Sequence, residues 1–220
     1  MWSVPNRMLH VVVNWIDHLV LAAPSLDVGC AAVAEMTGVM PVFGGAHPGA
    51  GTHNALVSLS PPTYLEVIAR DPAQADAPPS KLAPDDLGDE PRLVTFAVGC
   101  DDIDAAVTAL RAAGLPGVGD PYRMTRQRPD GSTLSWRLAF VVDGPVGATP
   151  FLLSWDSGGS PAYDAPAAGQ FVALRAGEPD PATARLVVEV LGLDVAIESS
   201  PSPYLEATIT TPSGSQLILT

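Results

Sequence analysis

One order of elements, strand, helix and three further strands, recurs three times along this chain of 220 residues, and it narrows the folds open to it. In residues 16–71 an apolar run ending near Ala23 reads as a strand. Pro24-Ser25-Leu26-Asp27 then starts a helix, with Ser25 or Asp27 as its cap. Val28, Ala31, Ala32 and Met36 recur at helical spacing, and Gly38 closes the helix. Strands follow at 39–43, 52–59 and 63–69, with Pro61-Pro62 marking the last turn. Residues 92–156 repeat the order. A strand at 93–98 leads into Asp101-Asp102-Ile103-Asp104 and a helix with Ile103, Val107 and Leu110 on one face, closed by Gly114. A strand and a hairpin around Asp130-Gly131 fall within 122–132, and strands follow at 134–142 and 151–155. Residues 170–220 repeat it again. The strand at 171–175 precedes a helix at 180–191 with Pro181 in its first turn. Strands at 195–199, 204–211 and 216–219 follow, the last after the turn Pro212-Ser213-Gly214.

A unit of this kind cannot bury its own sheet face and needs a partner. The expected fold is therefore α+β, with repeated βαβββ units forming curved mixed sheets around a cavity. Residues 1–14 read as an extension. Residues 15–157 read as one domain of two paired units, 15–71 and 92–157, joined by the linker 72–91. Residues 170–220 form a third unit, expected to cover an open sheet or to mediate self-association as a homodimer. Both connecting segments, 72–91 and 157–169, are rich in Pro, Ala, Ser, Gly or Asp and lack apolar periodicity.

Hydrophobic residues make up 47% of the chain and charged residues 16%, enough for a sizeable core. The formal charge of -13, from 24 acidic and 11 basic side chains, argues against nucleic acid as a partner, because that needs a basic footprint. Cys30 and Cys100 are isolated and do not make a disulfide framework. Two reduced thiols point to the cytoplasm. The apolar run at 9–13 is short and is interrupted by Asn14 and Asp17, so neither a secretory leader nor a membrane span is read there. Met8 is an alternative start.

His18, His53 and Glu66 stand inside apolar strands where a plain core would place Val or Leu. Such groups are costly to bury unless paired, hydrogen-bonded or metal-bound. Ile16-Asp17-His18-Leu19-Val20, His47-Pro48-Gly49 with Gly51-Thr52-His53-Asn54, and Tyr64-Leu65-Glu66 together resemble the vicinal oxygen chelate superfamily. More narrowly, they look like glyoxalase-like domain proteins, of the glyoxalase, bleomycin-resistance and dioxygenase type. The resemblance covers residues 15–156 and reaches the third unit by pattern only. It implies two paired units whose sheets enclose a cavity, and a divalent metal held by His on first strands and Glu on last strands. His18 and Glu66 match those positions, and period-two alternation can turn both to the concave face, with Leu19, Leu21 and Val67 towards the helices. Alignment of the second unit sets Thr95 opposite His18 and Leu153 opposite Glu66. The third unit offers Ala173 and Ile218. No later unit supplies a second ligand pair.

His18, His53 and Glu66 can make a two-histidine, one-carboxylate set for Zn, Fe(II), Mn or Ni, with Glu66 doubling as the candidate catalytic carboxylate. The alternative is that His53 and Asn54 brace the preceding loop and Glu66 pairs with an arginine. His47 reads as a rim or lid residue, and His10 is given no role. Arg123, Arg126, Arg128 and Arg137 hold four of the 11 basic side chains. Arg126, Arg128 and Arg137, beside Trp136, are candidates for capturing an anionic substrate at the cavity mouth. An exposed hairpin paired with acidic residues explains them equally. Trp136, Trp155 and Phe151 either line the cavity or fill the core. Glu206 echoes Glu66 on a different strand and is not counted as a ligand. No nucleophile elbow, phosphate-cradling loop or paired Cys motif is present. Asp85-Asp86 and Asp89-Glu90 read as a solvated acidic face.

Two functions stay open. One is a metal-dependent lyase, isomerase or dioxygenase acting on a small, oxygenated, anionic metabolite. The other is a metal-free protein that binds or sequesters a small molecule. No membrane partner is expected of either, and a module that has lost its site is a third reading.

Overall fold

The structure is a computed structural model, and it describes residues 13–84, 87–128, 130–143, 147–156 and 159–220. His10, most of the N-terminal extension and Asp85-Asp86 lie outside the described residues. The first unit comprises β1 (Asn14–Ala22), α1 (Leu26–Thr37), β2 (Val42–His47), β3 (Thr52–Ser58) and β4 (Tyr64–Arg70). Ser25 caps α1 by accepting from the Val28 N–H, and Gly38 ends it in the left-handed conformation at φ 75°. The second unit comprises β5 (Arg92–Cys100), α2 (Ile103–Ala112), β6 (Tyr122–Gln127), β7 (Thr133–Phe140) and β8 (Phe151–Trp155). Asp102 caps α2 through the Ala105 N–H.

Among the described residues these strands make one eight-stranded sheet in the order β2-β3-β4-β1-β5-β8-β7-β6. Within each unit the first strand lies parallel to the last, β1 beside β4 and β5 beside β8. The units meet where β1 pairs antiparallel with β5. The two edge strands also approach one another, since a Cβ placed on Gly45 of β2 would lie 2.6 Å from the Gln127 carbonyl oxygen of β6. The sheet is therefore curved and nearly closed, as the repeat implies.

Alternation sorts its side chains. Leu19, Leu21, Val67, Phe96 and Val98 pack on the convex side with Val33 of α1 and Val107 and Leu110 of α2. Val20, Ala22, Ile68, Leu134, Trp136, Leu138, Phe151 and Leu153 gather on the concave side.

The third unit comprises β9 (Gln170–Glu178), α3 (Ala182–Leu191), β10 (Ala196–Ser199), β11 (Tyr204–Thr210) and β12 (Gln216–Leu219). It has the element order of the other two but a different strand order, β10-β9-β11-β12. Here the crossover helix returns the chain directly beside its starting strand, so β10 lies parallel to β9. Leu174, Ala184, Val187, Leu205 and Ile209 join the convex-side core. The unit thus covers the back of the large sheet, away from the concave face.

β2 departs furthest from its expected bounds, the other strands differing by no more than three residues at an end. The apolar run suggested 39–43, yet β2 runs from Val42 to His47 through Gly44 and Gly45. Pairing with β3, from Val42 opposite Leu56 to His47 opposite Thr52, carries the glycines into the sheet with an irregularity between Phe43 and Gly45. Tertiary pairing outweighs the low strand preference of glycine. His47 consequently belongs to a strand end and not to the loop.

Candidate active site

The concave face encloses a cavity of about 200 Å³. Its polar end is built from β1, β2, β3, β4 and β6, and its apolar end from β7 and β8. Pro78, Pro79, Ser80 and Leu82 lie over it, so the segment joining the units also forms part of its wall.

His18 projects into this cavity from β1. A register irregularity between Ile16 and His18 lets the neighbouring Asp17 and His18 side chains meet, which regular alternation would forbid. The Asp17 carboxylate, fully buried, accepts from His18 Nδ1 at 2.8 Å and from Trp155 Nε1 at 2.8 Å. A carboxylate only accepts, so Nδ1 carries a proton and Nε2 is the ring nitrogen turned to the cavity. Nε2 stands 3.6 Å from Glu66 Oε2. Tyr64 stacks on the imidazole at 4.6 Å and Phe151 meets it edge-on at 5.5 Å. Burial, first, and the charges of Asp17 and Glu66 hold the Tyr64 phenol well above its usual value, so it remains protonated.

Glu66 is buried on β4 and accepts from Asn54 Nδ2 of β3 at 2.6 Å. His47 flanks its other side, with Nε2 4.0 Å from Glu66 Oε1. The same Asn54 amide nitrogen lies 3.3 Å from His47 Nε2, and His47 Nδ1 bonds Thr52 Oγ at 2.8 Å. Desolvation is the main cause that pushes the His47 imidazole below its usual value, against the opposing pull of Glu66, so it is neutral near pH 7.

His53 is not brought to His18 and Glu66, a correction of the expected ligand set. Alternation along β3 sends Thr52, Asn54 and Leu56 to one side and His53 to the other. There His53 lies 4.0 Å from Asp71 and edge-on to Phe43, outside the cavity lining. His47 stands beside Glu66 in its stead. Asn54 and His47 were both visible as polar residues beside the glycines, but their direction depended on the bounds of β2 and the phase of β3.

The arginines separate in the same way. Arg126 is 4% exposed and lines the cavity wall, deeper than the mouth position expected of it. Arg137 faces α2, where its Nη2 donates to Asp104 Oδ1 at 2.8 Å, so it is not a cavity residue. Arg123 pairs with Asp156 at 3.2 Å. Arg128 follows β6 near the hairpin and is not part of the lining. Trp136 does line the cavity, edge-on to His47 at 6.1 Å and 5.7 Å from Trp155.

Strand register fixes the second unit's counterparts. Tyr64 pairs with His18 as Phe151 pairs with Ala97, and Glu66 stands two residues beyond Tyr64 as Leu153 does beyond Phe151. Ala97, and not Thr95, therefore corresponds to His18, while Leu153 corresponds to Glu66 as aligned. Both are apolar. Among the described residues no group of three or more His, Cys, Asp or Glu side chains is gathered tightly enough to read as a metal cluster. His18 Nε2, His47 Nε2 and the Glu66 carboxylate share the polar end of the cavity.

Residues 16–191 match the glyoxalase-like domain family, and the chain belongs to it. A hypothetical protein from Staphylococcus aureus has a similar structure, with a TM-score of 0.68 at 13% identity over 94% of this chain and 99% of that one. The Mn(II)-bound glyoxalase from Novosphingobium aromaticivorans is similar at a TM-score of 0.51 and 13% identity, over 94% of this chain and 81% of that one. A Streptomyces coelicolor methylmalonyl-CoA epimerase scores 0.44 at 20% identity, over 64% of this chain and 97% of that one. At these identities the likeness concerns the fold. No curated protein matches the sequence significantly. The family, the fold and the enclosed cavity agree with enzymes that act on small metabolites.

Proposed function

We propose that this protein is a cytoplasmic, divalent-metal-dependent enzyme acting on a small oxygenated metabolite, with His18, Glu66 and His47 as the ligands. One observation carries the reading. Two imidazoles have their Nδ1 atoms tied to Asp17 and Thr52, and both present Nε2 to opposite oxygens of one buried carboxylate. Outer partners of this kind set the tautomer and direction of metal-binding histidines. Zn, Fe(II), Mn or Ni suits two imidazoles and a carboxylate. When bound, such an ion supplies Lewis acidity towards a carbonyl or a pair of vicinal oxygens. Glu66 faces the cavity, and in this reading it takes a proton from a substrate carbon or hydroxyl and returns it. Trp136, Phe151 and Leu153 exclude water from that exchange.

A second reading is favoured by Asn54. Its amide nitrogen satisfies Glu66 and approaches His47 without any ion. With Ala97 and Leu153 at the second unit's positions, a metal-free binding protein is the rival. Metal content by plasma mass spectrometry separates the two, on protein prepared without chelators beside a His18→Ala/Glu66→Ala double variant. The enzyme reading expects near-stoichiometric metal in the wild type and its loss in the variant. A metal-free wild type that also refuses added Zn, Fe(II), Mn and Ni overturns it and leaves the binding protein.

A further inference from the structure

Arg126 is a fixed positive charge placed where a plain core would need a hydrocarbon. Its side chain starts on β6 at the edge of the sheet and crosses the seam towards β2. Gly44 and Gly45 make that crossing feasible. A Cβ on Gly44 would sit 2.6 Å from Arg126 Nη1 and would overlap Asn54 Oδ1, while one on Gly45 would lie 3.5 Å from Nη1. The glycine pair therefore clears a berth for a guanidinium that belongs to the opposite edge strand.

Among the described residues no ion pair or side-chain hydrogen bond neutralises that group. Arg126 Nη1 is buried and has no hydrogen-bond partner among the described residues, and the same holds for Asn54 Oδ1, which lies beside the same Gly44 berth. Tyr64 and Glu66 lie within electrostatic range, but no ion pair or hydrogen bond joins Arg126 to either among the described residues. Burial, the largest influence, lowers the guanidinium from its usual value, yet arginine does not give up its proton in proteins. A buried charge without a contact partner is costly to keep. Its retention needs a reason other than stability.

The surroundings describe the missing partner. Arg126 and the polar end of the cavity face a wall of Trp136, Phe151, Leu153 and Trp155, with ring centroids of the two tryptophans 5.7 Å apart. A planar fork of N–H donors suits a carboxylate, and the aromatic wall suits a flat apolar body. We propose that Arg126 anchors the carboxylate of an aromatic monocarboxylic acid bound in this cavity, with the ring against Trp136 and Trp155. The proposal rests on the cavity's being the substrate site and names the substrate class. It does not depend on the metal.

Binding of benzoate and of its uncharged isostere benzamide tests this, followed by tryptophan fluorescence and calorimetry on chelator-treated wild type and Arg126→Met. Chelation removes any ion that could itself take the carboxylate. The wild type should prefer benzoate by about tenfold or more, the worth of one charge-assisted contact. Arg126→Met should bind the two equally and melt no lower than the wild type, because an unpaired buried charge has been removed. Equal binding to wild type overturns the proposal, and that comparison needs no variant. A benzoate preference kept by Arg126→Met overturns it too, as does a preference that exists only in metal-loaded protein. A variant that melts well below the wild type marks Arg126 as structural. Metal content decides the enzyme reading separately, so a chain without metal that still selects benzoate through Arg126 fails one and passes the other.

Discussion

His18 depends on a carboxylate next to it in the chain. Asp17 is buried completely, and both of its oxygens are used, one by His18 and one by Trp155. Asp17→Asn places an amide group in a position that needs an acceptor for two donors. The His18 tautomer and ring direction are then no longer fixed, and metal affinity should fall by about 10–100-fold, measured by competition with a chelating dye. Unchanged affinity would mean that Asp17 only braces β1. His18 and Glu66 were legible as cavity residues because each interrupts an apolar strand in the phase of the concave face. Asp17 interrupts the same strand, but local sequence does not show that an irregular register turns it to its neighbour. His53 was misplaced for a related reason: a change of one residue in phase exchanges the two faces of a strand.

At the scale of elements, α1 shows how closely helix and sheet approach. Gly29 faces β4, and a Cβ there would overlap Val67 Cγ1 and lie 2.7 Å from Ala23 Cβ. Gly29→Ala should raise the intrinsic helix preference by about 1 kcal/mol. Overpacking should cost about 1–3 kcal/mol and prevail, lowering the urea midpoint. A stabilised variant would show that α1 can move off the sheet. The helices were legible from capping residues and apolar spacing, since both signals are local. The bounds of β2 were not. Its glycines read as a loop, and only pairing to β3 and the closeness of β6 make them strand. The same seam gives Arg126 its place, whereas Arg137, on the neighbouring strand, turns to Asp104 on α2.

For the whole molecule, the convex side of the large sheet and the third unit share one core. Leu19, Leu21, Phe96 and Val98 are packed in the same cluster as Leu174, Val187, Leu205 and Ile209. Hydrogen bonds also cross between them, from the Phe171 N–H to the Leu59 carbonyl and from the Leu93 N–H to the Thr220 carbonyl. Unfolding should therefore be one cooperative transition, with far-ultraviolet dichroism and tryptophan fluorescence coincident in urea. Two separated transitions would make residues 170–220 an independent domain. Cys100 offers a chemical check of the same packing. Burial, above all, pushes its thiol up to about 12, so alkylation at pH 8 should mark it only in the unfolded chain. Rapid labelling of folded protein would show local opening at the end of β5.

The sequence by itself determined the three repeats, the α+β class, most helix limits, and the presence of His18 and Glu66 in otherwise apolar strands. Each of these follows from spacing and composition within a few turns of chain. Tertiary structure alone decided that His47 and not His53 faces Glu66, that Arg126 enters the cavity and Arg137 leaves it, and that the third repeat adopts another strand order. These outcomes depend on register, on irregularities in pairing, and on the meeting of two sheet edges some eighty residues apart. Local propensity carries no information about such long-range pairing, because a strand residue's direction is set by its partner strands.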